Sequence, residues 1–308
     1  MKDIRKIHQD FELFSRALIA SKDVDPVYPL VPKLIKLGRY NKHWFVFCYV
    51  AFYSLESAIV MCDEMPSMKD WWAETFREMR NSGKLHKFGH ERRGTARNVL
   101  VQEIMFKDII QFIDTWMIEV LSKDNQHFRN RLQTNLSNHG GWASFKIAEL
   151  FEKSLGYTQL AIPDLGLEGR DPNSTDGPVA GLRWLYGFDN HYDKDYFEVW
   201  NKFGANLARE WGVDIGEVET CLCKFHKLRT GKYYVGHDID EFYDLSHVLD
   251  RKTYEQTMSD IFDERTWKGR TGVRKSDKSA YLKTGRILGS EFSVNLPKIN
   301  VTDILLST

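Results

Sequence analysis

Ile4, Ile7, Phe11, Phe14 and Leu18 recur three or four residues apart, which predicts an amphipathic N-terminal helix. A stretch with Pro26, Pro29 and Pro32, residues 25–32, is expected to break it. Residues 44–61 read as one mostly buried helix, too long for a strand and lacking strand punctuation. Ser67 is placed to cap the next short helix, which carries Trp71, Trp72 and Phe76. Residues 81–92 form a connector containing Gly and His. A long helix is expected over 95–121, its apolar side marked by Leu100, Ile104, Ile110 and Met117. Phe128, Leu132 and Leu136 mark another helix. Trp142, Phe145, Ala148 and Phe151 mark a third, with Ile147 and Leu150 widening its apolar face.

After Gly156 the chain turns irregular and rich in Gly, Pro and Asp, a composition that in a helical protein suits loops lining a site. Helices resume over 192–211 and 215–228, with a short extended piece at 232–235 and a further helix starting near Ile239. No repeat and no clean boundary is visible. The expectation is a mainly α chain with a single large helical domain over 1–270 and a basic tail over 271–308.

Composition adds less than pattern. Hydrophobic residues at 42% and charged residues at 28% are ordinary for a globular chain. Nine Trp fit either a heavy core or surfaces on which bases stack. The formal net charge is zero, which excludes a global pull on nucleic acid, but the charges are segregated. Residues 80–97 hold six Arg or Lys and one acid; residues 265–286 hold eight and one; residues 238–264 hold nine acids and two bases. Such basic blocks contact phosphates, or pair with the acidic block as solvated faces. Four Cys do not make a disulfide framework at this length, and Cys221-x-Cys223 lacks zinc-knuckle spacing. Residues 1–18 carry charges throughout, so no signal peptide is expected. Residues 44–61 are too short and polar for a membrane span, so a cytoplasmic location without a membrane partner is expected.

Four constellations could carry chemistry. The turn Asn138-His139-Gly140-Gly141, ahead of Trp142, offers backbone N–H groups at a helix start, where a phosphate fits; many helical hairpins need Gly only to turn. Asp164 is a candidate general base. Gly177 permits a close backbone approach, and Pro178 starts a helix that carries Arg183, a fork for phosphate or carboxylate; an Asx turn and a surface ion pair are the structural alternative. Glu219, Cys223 and Lys227 share one helical stripe, a site wall or an ordinary Glu–Lys face. Downstream, in the stretch that starts at Tyr233-Tyr234, His237 and Asp238 can shuttle protons or bind a metal, though no standard metal motif fits; a hydrogen-bonded structural pair is the alternative, and Asp238 can instead cap a helix. Lys84, Lys87, His90, Arg92 and Arg93 form a cationic cluster beside a Gly-bearing turn.

No Walker A, dinucleotide, kinase or hydrolase-elbow motif is present. Across residues 40–245 the chain resembles phage DNA-hypermodification enzymes, the amino acid:DNA transferases and the related alpha-glutamyl/putrescinyl thymine pyrophosphorylases. The likeness rests on Gly140-Gly141-Trp142-Ala143-Ser144-Phe145, Pro163-Asp164, Asp176-Gly177-Pro178 with Gly181-Leu182, and residues 219–227. A Gly-Pro-Gly element marks the pyrophosphorylase branch; here Val179 follows Gly177-Pro178, which favours the amino-acid branch.

The resemblance implies a helical scaffold like that of helix-hairpin-helix DNA glycosylases. It implies DNA bearing diphosphorylated 5-hydroxymethyluracil as substrate and an amine, such as glycine, that replaces the diphosphate, with no cofactor or metal in the expected set. Under it Arg92, Arg93, Arg183 or Lys227 would steady the departing diphosphate, and Asp164 or Glu219 would take the amine proton. Trp142 and Tyr234 would wall in a flipped-out base, and Gly140 would clamp the backbone. A base-excising glycosylase and a non-enzymatic DNA-binding protein are the alternatives.

Overall fold

A computed structural model describes residues 3–89, 97–242, 245, 247–261, 280–289 and 296–308. His90, Arg92 and Arg93 of the cationic cluster lie outside them, as does most of the second basic block. The described residues form sixteen α-helices and, among them, no strand. In chain order these are α1 (Ile4–Ala20), α2 (Val27–Gly38), α3 (Lys42–Phe52), α4 (Leu55–Glu64), α5 (Ala73–Asn81), α6 (Val99–Thr115), α7 (Met117–Leu121) and α8 (Asn125–Asn135). There follow α9 (Gly141–Leu155), α10 (Gly177–Tyr186), α11 (Tyr196–Trp211), α12 (Ile215–Arg229), α13 (His237–Phe242), α14 (Arg251–Ile261), α15 (Ala280–Thr284) and α16 (Val301–Leu306).

Several boundaries differ from expectation, each for a local reason. The proline stretch lies mostly inside α2. Pro29 sits in its first turn, where no intrahelical donor is needed. Pro32 cannot bond back to the Tyr28 carbonyl, and the Ser154 hydroxyl takes that carbonyl instead at 3.1 Å. The expected helix over 44–61 is two. Tyr53 ends α3 in the left-handed region at φ 49°, and the Ser54 hydroxyl accepts from the Ser57 N–H to start α4. Ser67 precedes a single 3-10 turn, where the Asp70 carboxylate accepts from its N–H and hydroxyl. Trp71 and Trp72 lie in the connector, and only Phe76 is on α5. The long helix over 95–121 breaks at Trp116 into α6 and α7.

The chain divides into two compact units. One comprises Met1–Pro26, Ile162–Tyr243 and Phe262–Thr308; the other comprises Val27–Ala161 and Asp244–Ile261. In the first, α1, α10 and α11 pack on α12. Phe11 meets Phe225 edge-on at 5.2 Å and Trp211 at 6.0 Å, and Trp200, Phe203 and Leu222 are fully buried. α10 and α12 approach so closely that a Cβ at Gly181 would stand 2.2 Å from the Leu222 carbonyl oxygen, so only glycine fits there. Described parts of the basic tail belong to this unit: Arg16 donates to the Leu296 carbonyl, and His8 bonds Thr302 at 2.8 Å.

In the second unit α3 is buried on every side from Trp44 to Phe52. Phe47, Phe128 and Phe151 and the rings around Phe106 form its core. Truncating one such ring costs about 3–5 kcal/mol. No helix among the described residues is long and apolar enough to cross a membrane.

Candidate active site

The densest buried charge in the first unit gathers where α1 ends. The last turn of α1 closes with Lys22 N–H bonded to the Ile19 carbonyl and Asp23 N–H to that of Leu18, with Lys22 left-handed at φ 61°. Glycine usually takes that position; a lysine there carries strain immediately ahead of Asp23.

The turn sends the Asp23 side chain inward, where it is fully buried. One of its oxygens accepts from the Tyr233 hydroxyl and the Gly236 N–H, each at 2.7 Å. The other accepts from the Asp238 and Ile239 N–H groups, each at 3.1 Å. A carboxylate distant in sequence thus satisfies the orphan donors at the start of α13, the capping role that the sequence left open to Asp238.

Lys224 supplies the opposite charge from α12. Its Nζ donates to the backbone carbonyls of Asp23 and Val24 and meets Asp238 Oδ2 at 2.6 Å. It also lies 5.2 Å from the Tyr233 ring centroid. Burial opposes the charge on Lys224, but Asp238, Asp23 and Asp25 together hold its pKa above the ordinary lysine range. Burial likewise opposes the charge on Asp238, yet Lys224 and the bond from His237 hold it well below the carboxylate range. Burial pushes Asp23 up to about 7 against the pull of Lys224. Next to this centre Thr220 donates to Asp25 at 2.6 Å.

Asp238 Oδ1 faces His237 Nδ1 at 3.0 Å. The imidazole stacks on Tyr233 with ring centroids 5.0 Å apart and meets Tyr234 at 5.4 Å, while the Tyr234 hydroxyl donates to Asp240. His237 Nε2 stands 3.6 Å from Glu241. Ligand atoms of His237, Asp238 and Glu241 come within 4.8 Å of one another. Lys224 already occupies one oxygen of Asp238 and the imidazole the other, so the donor set is arranged for hydrogen bonding.

The other sequence candidates fall as follows. Glu219, Cys223 and Lys227 do share α12, one position off from Lys224; Glu219 is buried and lies 4.0 Å from Arg170. Arg170 also donates to the Gly166 carbonyl. A Cβ at Gly177, left-handed at φ 60°, would stand 2.6 Å from its Nη1, so this guanidinium joins Gly177 to Glu219. Arg183 is buried. Its guanidinium donates to the carbonyls of Asn173, Ser174, Phe188 and Asn190 and stacks on Phe188, holding two loops together. Asp164 accepts from the Gly166 N–H at 2.7 Å in an Asx turn.

Gly140, Gly141 and Trp142 belong to the other unit. Gly140 precedes α9 with no side-chain cap and with φ −69°, and a Cβ at either glycine would meet nothing within 4 Å. Neither φ nor packing demands glycine there. Trp142 stands edge-on to Tyr53 at 4.7 Å. Of the basic cluster, Lys84 pairs with Glu64 at 2.8 Å and Lys87 with Glu56.

Asp23, Lys224 and Tyr233 were not singled out by sequence. A signal for Lys224 existed: it falls three residues after Cys221 and four before Leu228 on the buried stripe of α12, where a charge requires a partner.

A family model described as "ADDT: Amino acid:DNA transferase" matches residues 19–234, more than half of the chain, and the match includes Asp23, Lys224, Tyr233 and Tyr234. No curated protein and no solved structure matches the chain. The chain therefore belongs to the amino acid:DNA transferase family.

Proposed function

We propose that the protein transfers an amino acid, through its amino group, to a pyrimidine in DNA that carries a diphosphate on its 5-methylene, releasing pyrophosphate. The observation that carries this reading is the family match over residues 19–234 together with the buried Asp23–Lys224–Asp238 centre next to His237. A charged centre costly to bury is retained in a chain whose family name requires an amine and a DNA acceptor.

The turn between α8 and α9 contacts the DNA backbone as the hairpin of a helix-hairpin-helix scaffold. The start of α9 has no side-chain cap, and a Cβ at Gly140 or Gly141 would meet nothing within 4 Å, which leaves room for a phosphate. Tyr234 stacks against the base. Lys227 on α12 neutralises the charge that builds on the departing diphosphate. Glu219 and Cys223 line the wall beside Lys227, Gly177 lets the Arg170 guanidinium lie beside Glu219, and Arg183 holds the loops at 173–174 and 188–190. If the acceptor base lies in a duplex, extruding it costs about a few kcal/mol, offset by backbone contacts.

The test is direct. Purified protein is incubated with DNA containing diphosphorylated 5-hydroxymethyluracil and a panel of amino acids and diamines, and the digested nucleosides are weighed by mass spectrometry. An amine adduct is expected, with glycine among the donors. Release of free base, leaving abasic sites, would instead identify a glycosylase. Unchanged nucleosides with every amine would refute the transferase reading.

A further inference from the structure

We infer that His237 is the general base that removes the proton from the incoming ammonium, with Asp238 as its positioning residue. This deepens the transferase reading and rests on it. An amino acid arrives at neutral pH with its amino group as an ammonium, which has no lone pair for attack. Some group must accept that proton.

Glu219 and Asp164 are engaged elsewhere, the first facing Arg170 at 4.0 Å and the second bonded to the Gly166 N–H. His237 is arranged differently. Asp238 is held as a carboxylate by Lys224 at 2.6 Å, and its remaining oxygen meets Nδ1 at 3.0 Å. The imidazole tautomer matching that contact carries its proton on Nδ1, which places the lone pair on Nε2. Tyr233 and Tyr234 fix the ring plane from its face and its edge. Glu241, 3.6 Å from Nε2, gives that nitrogen an anionic neighbour that draws a cationic amine toward it. Asp23 holds the whole segment by accepting from Gly236, Asp238 and Ile239, so the ring's position is set by backbone as well as side chains. A carboxylate orienting a histidine whose far nitrogen takes a proton is a general catalytic arrangement.

Nε2 takes one proton from the ammonium. The freed amine lone pair forms the C–N bond to the exocyclic methylene. The C–O bond breaks, and its electron pair leaves with pyrophosphate. The new secondary amine keeps its extra proton or passes it to water, and the imidazolium returns its own to solvent.

The experiment measures the rate of glycine adduct formation against pH for the wild-type protein, H237A and D238N. Among the described residues, charged or titratable groups near His237 include Asp238, Glu241, Tyr233 and Tyr234, with Lys224, Asp23 and Asp240 behind them. H237A is expected to lose about 100-fold or more at pH 7. It should recover tenfold per pH unit as the solution approaches the pKa of glycine's own amino group, where the amine is neutral without help. D238N keeps the ring and is expected to show a smaller loss of the same pH-dependent form. A loss by the same factor at every pH in both variants would overturn the assignment and leave a structural role. Wild-type protein that forms no adduct would overturn the transferase reading itself, whereas adduct formation with pH-independent losses overturns only the role of His237.

Discussion

Lys224 Nζ and Asp238 Oδ2 stand 2.6 Å apart, and the same ammonium also bonds the carbonyl of Asp23, whose carboxylate holds the Asp238 N–H. The end of α1, the middle of α12 and the start of α13 thus meet at one buried cation. Its removal leaves the fully buried Asp23 and the partly exposed Asp238 without a compensating cation, which is the costly way to break such a centre. Lys224→Met is expected to destabilise the protein by about 3–5 kcal/mol in denaturant unfolding. Lys224→Met with Asp238→Asn should cost less than the two single changes summed. Additive losses would contradict the coupling.

The Tyr233 hydroxyl is one of four donors to a fully buried carboxylate. Tyr233→Phe is therefore expected to cost about 1–3 kcal/mol while keeping the ring packed on His237. Hydrogen exchange of the Asp238 and Ile239 amides should rise in the variant. Unchanged stability and exchange would show that Asp23 does not depend on this donor.

Three glycines separate folding from contact. A Cβ at Gly140 or Gly141 meets nothing within 4 Å, so Gly140→Ala and Gly141→Ala should fold like the parent. If a phosphate approaches there, each should weaken DNA binding several-fold in a salt titration. Gly181→Ala, with its Cβ 2.2 Å from the Leu222 carbonyl oxygen, should instead destabilise by about 1–3 kcal/mol or more through overpacking. Equal DNA affinity in all three glycine variants would remove the hairpin from the DNA-binding surface.

In the second unit, burial and the neighbouring Lys42 hold His43 down at about 4, with Nε2 2.7 Å from the Tyr157 hydroxyl. The unfolded chain takes up this proton first as pH falls below about 6.5, so the fold loses stability between about pH 6.5 and 4. Partial exposure trims the loss to roughly 1–3 kcal/mol. His43→Gln retains a hydrogen-bonding partner for Tyr157 and does not titrate. It should flatten the acid limb of a stability–pH curve, and an unchanged limb would place that sensitivity elsewhere.

Apolar spacing announced the helices but not where they stop. The period that runs from Trp44 to Met61 is continuous, and only the left-handed turn at Tyr53 and the cap at Ser54 divide it. Pro32 reads as a breaker because the sequence does not show Ser154 waiting for the freed carbonyl of Tyr28. His237, Asp238 and Tyr234 were legible as candidates because their residue types cluster in the chain. Asp23 was not. It lies more than 200 positions from the amides it accepts from, inside what reads as a connector, and its role exists only once α1 and α13 meet. The more regular stripe of Glu219, Cys223 and Lys227 masks Lys224, although a lysine between Cys221 and Leu228 on the apolar face is the sharper sign.

The measurement that bears most directly on the account follows nitrogen and phosphate together. Nitrogen-15 glycine is supplied with DNA carrying diphosphorylated 5-hydroxymethyluracil, and labelled nucleoside and released pyrophosphate are quantified over time. The label is expected in the DNA, with one pyrophosphate released for each base modified. Pyrophosphate release without incorporation of label, or no change in either, would contradict it.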